Sequence, residues 1–128
     1  MSYSFTKILN STMDEAVQHV TDDLAAKGFG VLTVIDVSAT LKKKLDVDFR
    51  PYVILGACNP EFAYKALQNE DKIGTMLPCN VIVQEIGKDR VEVSAVDPIA
   101  SMQAVKNPKL AVIATEVRDL LKSVVHDL

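Results

Sequence analysis

The chain has no tryptophan, and aromatic residues make up only 5% of its 128 residues. Its single basic run covers residues 42–44, and its formal net charge is −3. Proteins that bind nucleic acids carry concentrated basic surfaces, and those that bind single strands also stack bases on aromatic side chains. The composition therefore argues against a nucleic-acid partner.

Long apolar stretches are also missing. No segment approaches the roughly 18 uninterrupted apolar residues that a membrane-spanning helix needs. The first residues, MSYSFTKILNSTMDEA, lack the apolar core of a secretory signal and soon become acidic. We therefore expect a cytoplasmic protein with no membrane partner, in a compartment where thiols stay reduced.

Cysteine is scarce: only Cys58 and Cys79 are present, and they do not have the C-x-x-C spacing. Two such residues make neither a disulfide framework nor a zinc finger. They nevertheless occur in similar stretches, GACNP (56–60) and LPCNV (77–81), in which each cysteine precedes an asparagine and lies close to a proline.

Hydrophobic residues (48%) and charged residues (24%) occur at proportions typical of one globular domain, which we assign to residues 1–128. Alternating apolar and polar residues, together with β-branched residues, predict five strands, at 3–9, 30–37, 51–58, 79–86 and 90–96. Caps and helical spacing predict a helix between Thr12 and Gly28, short helices at 38–45, 60–68 and 98–105, and a long helix from residue 108. This pattern indicates an α+β fold, with a mainly antiparallel sheet and two long helices on one face.

The residues GKD mark a hairpin between the last two strands and predict a register in which Ile82 lies opposite Ala95. A bulge would shift this register, so the prediction holds to within two positions. If the strand at 51–58 is the antiparallel neighbour of the strand at 79–86, then Cys58, Cys79 and Asp97 meet at one rim of the sheet.

Two interpretations of the cysteines have equal weight. Both could be buried as small apolar side chains, which is common for free cysteine. Alternatively, Cys58 and Cys79 could bind a soft metal such as zinc or copper, or Cys58 could act as a nucleophile with Cys79 as its resolving partner. Met76 and Met102 flank the rim, and there we favour gap-filling over thioether ligation. The candidate ligand-binding residues are Cys58, Asn59, Cys79, Asn80 and Asp97.

Other polar residues have simpler structural interpretations. Asparagine and aspartate before proline, as at Asn59 and Asp97, are typical helix caps. Asp36 ends a strand, and we expect Arg50 to form an ion pair with it. Ser38 or Thr40 is the predicted cap of the helix at 38–45. We place His19 and the lysine run on solvated helix surfaces.

The segments GFGVLTVIDV, LKKKLDVDFRPYVILGACNP, GTMLPCNVIVQE and VDPIASM resemble, in this order, the domain-of-unknown-function family 302 (DUF302). The resemblance covers nearly the whole chain. It implies a β-α-β4-α fold similar to that of TATA-box-binding protein, without any implication of DNA binding. It also implies a homodimer and no established activity. The positions that match its pattern are Asp36, Arg50, Cys58, Asn59, Pro60, Pro78, Cys79, Asn80 and Asp97.

The sequence thus predicts a protein of unknown function whose best-supported role is a small-ligand or soft-metal binding module centred on the two cysteines. A thiol-dependent redox or sulfur-transfer enzyme with Cys58 as nucleophile is the alternative, and an interaction module without a ligand site is the third. A homodimer would protect the exposed sheet, either by pairing edge strands or by stacking sheets.

Overall fold

The computed structural model describes residues 2–128. The helices and strands, in chain order, are β1 (Ser4–Asn10), α1 (Met13–Ala26), β2 (Gly30–Asp36), α2 (Val37–Leu45), β3 (Tyr52–Cys58), α3 (Pro60–Asn69), β4 (Cys79–Gly87), β5 (Arg90–Val96), α4 (Pro98–Ser101) and α5 (Pro108–His126). A 3₁₀ helix, Asp71–Met76, lies between α3 and β4, where the sequence predicted neither a helix nor a strand. Without the short helices, the order is β-α-β4-α, as predicted.

The strands form one antiparallel sheet in the order β1-β5-β4-β3-β2. β4 and β5 make the predicted hairpin. The first strand of the chain pairs with the last, so that Ser4 lies opposite Val96. The predicted α+β class and the antiparallel sheet are therefore confirmed.

The two long helices, α1 and α5, pack on one face of this sheet. Each presents a stripe of apolar residues at helical spacing, and alternate residues of β3, β4 and β5 pack against these stripes. Burying one large aliphatic side chain contributes about 1.5–3 kcal/mol, so this layer is the main source of stability. Its fully buried members include Val20, Leu24, Leu55, Val81, Val83, Val91, Val93 and Leu121.

Predicted caps position several helices. The Thr12 side chain accepts a hydrogen bond from the backbone N–H of Glu15 at the start of α1. Gly28 ends that helix with φ at +87°, a conformation that favours glycine. The cap of α2 was predicted wrongly: it is Asp36, whose carboxylate accepts from the backbone N–H of Ala39 at 2.9 Å. These bonds, from Ala39 and then from the Ser38 hydroxyl, lower the pKa of Asp36.

The predicted hairpin register is off by one residue over most of its length. Ile82 lies opposite Ser94, because the register shifts between Glu85 and Gly87. This bulge keeps the register within the predicted tolerance of two positions. The helix predicted at 98–105 is also shorter, since α4 ends at Ser101.

The other face of the sheet is left open by the long helices. Thr6, Ile8, Ile35 and Asn80 on this face are all exposed. We refer to it below as the open face. Among residues 2–128, no helix is long and apolar enough to cross a membrane.

Candidate functional site

The sheet brings the two cysteines to one rim, as predicted. β3 and β4 are antiparallel neighbours, and Cys79, the first residue of β4, lies opposite Ala57. Cys58 is the next residue and ends β3. One residue of offset between paired strands corresponds to a Cα–Cα separation of about 6 Å. Both thiols are free.

Both cysteines border one small cavity between the sheet rim, α3 and α5. Its volume is about 40 Å³. Pockets for drug-sized molecules measure about 300–1,000 Å³, so this cavity accommodates an ion or a few atoms. The lining is almost entirely apolar and includes Phe29, Phe62, Leu110, Ile113 and Val117.

The two thiols differ in their environment. Cys79 is buried, with 8% of its surface exposed, whereas Cys58 is half-buried. Burial raises the pKa of the Cys79 thiol to about 11, and the nearby Cys58 adds to the shift. Removing a thiolate from water costs free energy, so Cys79 keeps its proton at neutral pH unless a cation compensates.

A third sulfur borders the same cavity. Met102, just after α4, contributes to the lining, while Met76 at the end of the 3₁₀ helix does not. Within residues 2–128, no three His, Cys, Asp or Glu side chains are grouped so that they could hold a metal ion. The cavity therefore offers two thiols and one thioether, without a carboxylate or imidazole.

The remaining candidate residues do not all join this cavity. Asn59 borders it, but its side-chain oxygen accepts from the backbone N–H of Phe62 and caps α3. Asp97 caps α4 by accepting from the backbone N–H of Ile99 at 2.9 Å, and its neighbour Pro98 lines the cavity instead. Asn80 follows Cys79 in the strand and therefore lies on the open face.

The predicted ion pair between Asp36 and Arg50 is wrong. The Arg50 guanidinium lies 4.4 Å from the centre of the Phe49 ring, and its Nε donates to Gln84 Oε1 at 2.7 Å. Asp36 is occupied as the cap of α2. An aromatic face and an amide oxygen thus replace the carboxylate as the partners of Arg50.

The other surface predictions agree with the structure. His19 is exposed on α1 and lies 3.3 Å from Asp23. Lys42 forms ion pairs with Asp46 and Asp48 on the exposed end of α2. The peptide bond before Pro78 is cis, an arrangement that the sequence left open.

Sequence reasoning missed the contribution of α5 to the cavity. Leu110, Ile113 and Val117 lie on the apolar face of α5, and the sequence of this helix alone does not show which end of the sheet that face covers. The sequence marks where α5 begins, at Asn107-Pro108. In the structure this start lies beside the end of α3, where the Asn107 side chain donates to the backbone oxygen of Asn69 at 2.9 Å.

Comparisons with known proteins give one consistent result. The family model described as "Domain of unknown function DUF302" matches residues 5–128. A crystal structure of an uncharacterised conserved DUF302 protein from Bacillus stearothermophilus superposes with a TM-score of 0.90 at 27% identity, covering 98% of each chain. No curated protein matches the chain. The chain therefore belongs to the DUF302 family, a family of unknown function.

Proposed function

We propose that this protein binds one soft monovalent metal ion, with Cu(I) as the best fit, through Cys58 and Cys79, supported by Met102. The observation that carries the proposal is that all three sulfur-bearing side chains border one small apolar cavity. Thiolate and thioether ligands favour soft metals, among them Cu(I).

Copper suits this ligand set better than zinc, the other soft metal that the two cysteines suggest. Structural zinc sites are tetrahedral and take four ligands from Cys, His, Asp or Glu. Residues 2–128 bring no three such side chains together for a metal. The volume of about 40 Å³ also favours an ion over an organic ligand.

The chemistry of the thiols is compatible with this role. Burial opposes a bare thiolate at Cys79, but a bound cation replaces the proton and compensates its charge. The thiols must stay reduced, so the proposal assigns the protein to the cytosol.

The test is an anaerobic titration of reduced, metal-free protein with Cu(I) in competition with a coloured Cu(I) chelator. We expect one equivalent to bind per chain. Cys58→Ser and Cys79→Ser should each abolish binding at chelator concentrations where the wild type still competes. Met102→Leu should weaken it by a smaller factor, because the two thiolates remain.

Met76→Leu is the matched control, since Met76 is near the same rim but outside the cavity. This variant should bind as the wild type does. The proposal fails if the wild type takes up no Cu(I) against the chelator, or if Cys79→Ser still binds a full equivalent. Preferential binding of Zn²⁺ would also contradict it.

A thiol-dependent enzyme is the second candidate, because Cys58 is the more exposed thiol, lies two residues before the first residue of α3 and has Cys79 in the neighbouring strand. This function requires Cys58 to be alkylated fast well below pH ~8.5, the ordinary thiol pKa. Slow alkylation of Cys58 in the folded, metal-free protein would eliminate it. Failure of both tests would favour the third candidate, an interaction module.

A further inference from the structure

A second cavity lies beside the cysteine cavity, between the segment 99–105 and the first turns of α5. We call it the outer cavity, and its volume is about 200 Å³. Protein interiors contain few voids larger than a water molecule. An apolar cavity of about 150 Å³ in another protein holds a benzene molecule. The outer cavity is therefore large enough to take a small organic molecule.

The lining of the outer cavity is apolar inside and polar at its mouth. Ala111 and Ala114 line it from α5, and their small side chains leave space that larger residues would fill. Leu110, which is 2% exposed, lies at its buried end, whereas Gln103 and Thr115 in the same lining are exposed. A bound molecule would therefore bury an apolar part and present a polar part to solvent.

The charges near the outer cavity are all positive. Every lining residue belongs to the segment 98–115, which contains Lys106 and Lys109 but no aspartate or glutamate, although the chain as a whole has a net charge of −3. Both lysines are exposed, and each is the direct neighbour of a lining residue. In the described residues, 2–128, neither lysine forms an ion pair. The mouth is thus complementary to an anion.

We infer that the outer cavity binds a medium-chain fatty acid, with its alkyl chain inside and its carboxylate beside Lys106 and Lys109. The volume sets the length at about eight carbon atoms, by comparison with the six of benzene in the smaller cavity. Each buried methylene strengthens binding by roughly fourfold, so the chain supplies most of the affinity. Exposed ion pairs contribute little, and the lysines select the acid and orient it.

The inference does not depend on the metal proposal, because neither cysteine lines the outer cavity. The two cavities share part of their walls, and Met102 borders both. Its methyl group is therefore a reporter of anything that enters the outer cavity. Met76 borders neither cavity and is the matched reporter for effects elsewhere.

The test is a titration of the reduced, metal-free full chain with octanoate, followed by NMR of ¹³C-labelled methionine methyl groups. We expect a saturable shift of the Met102 signal, assigned with Met102→Leu, and no shift of the Met76 signal. Ala111→Phe, which fills the outer cavity, should weaken octanoate binding at least tenfold. Val112→Phe is the matched control, because Val112 is 63% exposed on the same helix and does not line the cavity.

A second set of variants tests the recognition of the carboxylate. The double variant Lys106→Gln, Lys109→Gln should weaken octanoate by about two- to tenfold and leave 1-octanol unchanged. The double variant Lys43→Gln, Lys44→Gln, on α2, loses the same charge and should change neither ligand. Three results would each overturn the inference: no saturable shift of Met102, an octanoate affinity that Ala111→Phe leaves unchanged, or an equal loss of octanoate and octanol in the first double variant.

Discussion

At the scale of single residues, the two cysteines differ in burial, although they are only one residue out of register across β3 and β4. Cys79 begins its strand on the helix-covered face and is enclosed by the core, whereas Cys58 ends its strand at the rim. Only Cys79 belongs to the main hydrophobic core. Its thiol is therefore coupled to folding in a way that can be measured.

Stability of the reduced, metal-free protein should fall as pH rises from about 9 to about 11. The pKa of Cys79 rises from 9.0 to about 11 on folding, so the unfolded chain releases this proton first and gains stability relative to the native state. The stabilisation is complete below pH ~9 and is lost as pH passes the folded pKa. Its size is about 2–3 kcal/mol.

Urea denaturation at several pH values measures this change. Lysines and tyrosines also titrate in this range, so the relevant quantity is the difference between the wild type and Cys79→Ala. We expect the variant to lack the Cys79 contribution. Identical pH slopes for the two proteins would contradict the burial of this thiol.

At the scale of secondary structure elements, the close approach of β2, β3 and the cis-proline turn is centred on Gly56. A Cβ at this position would lie 2.8 Å from Pro78 Cγ and would also overlap the side chain of Thr33. The strands can keep this spacing only because Gly56 has no side chain. This glycine is two residues from Cys58 and helps to fix the rim.

Gly56→Ala should therefore destabilise the fold by about 1–3 kcal/mol, the usual cost of overpacking. Chemical denaturation measures the free energy of unfolding. Gly30→Ala is the matched control in the neighbouring strand, because a Cβ there meets no atom within 4 Å. If both variants lose the same stability, a general strand effect explains the result and the overlap does not.

Helix starts could be predicted from the sequence because they depend on residues that are neighbours in the chain. Asn59-Pro60, Asp97-Pro98 and Asn107-Pro108 each marked a helix start correctly, because caps depend on neighbouring residues. The partner of Arg50 was missed because Gln84 is 34 residues away and only strand pairing brings it near.

The candidate site was predictable only in part for the same reason. The meeting of Cys58 and Cys79 followed from one assumption about strand adjacency, which the structure confirms. Asp97 and Asn80 were grouped with them by position along the strands, but alternation sends Asn80 to the opposite face. The role of Met102 depends on where α4 and α5 pack, and local patterns do not specify this.

At the scale of the whole molecule, the homodimer that the family resemblance implies would link stability to concentration. The midpoint of thermal unfolding should rise with protein concentration for the wild type, because dissociation accompanies unfolding. Circular dichroism melts at increasing concentrations measure this. A wild-type midpoint independent of concentration would contradict a dimer that dissociates on unfolding.

The pairing of β1 with β5 has a consequence for how quickly the chain folds. Thr6 and Ser94, which share a hydrogen bond across these strands, are 88 residues apart in sequence. The β4–β5 hairpin needs only a short loop to close, whereas β1 must wait for the last strand before it acquires a partner. Contacts between such distant residues slow folding, since the entropy of the intervening chain must be lost first. We therefore expect β1 to dock late in folding. During synthesis it is made before β5, and its backbone groups stay without a strand partner until β5 is in place.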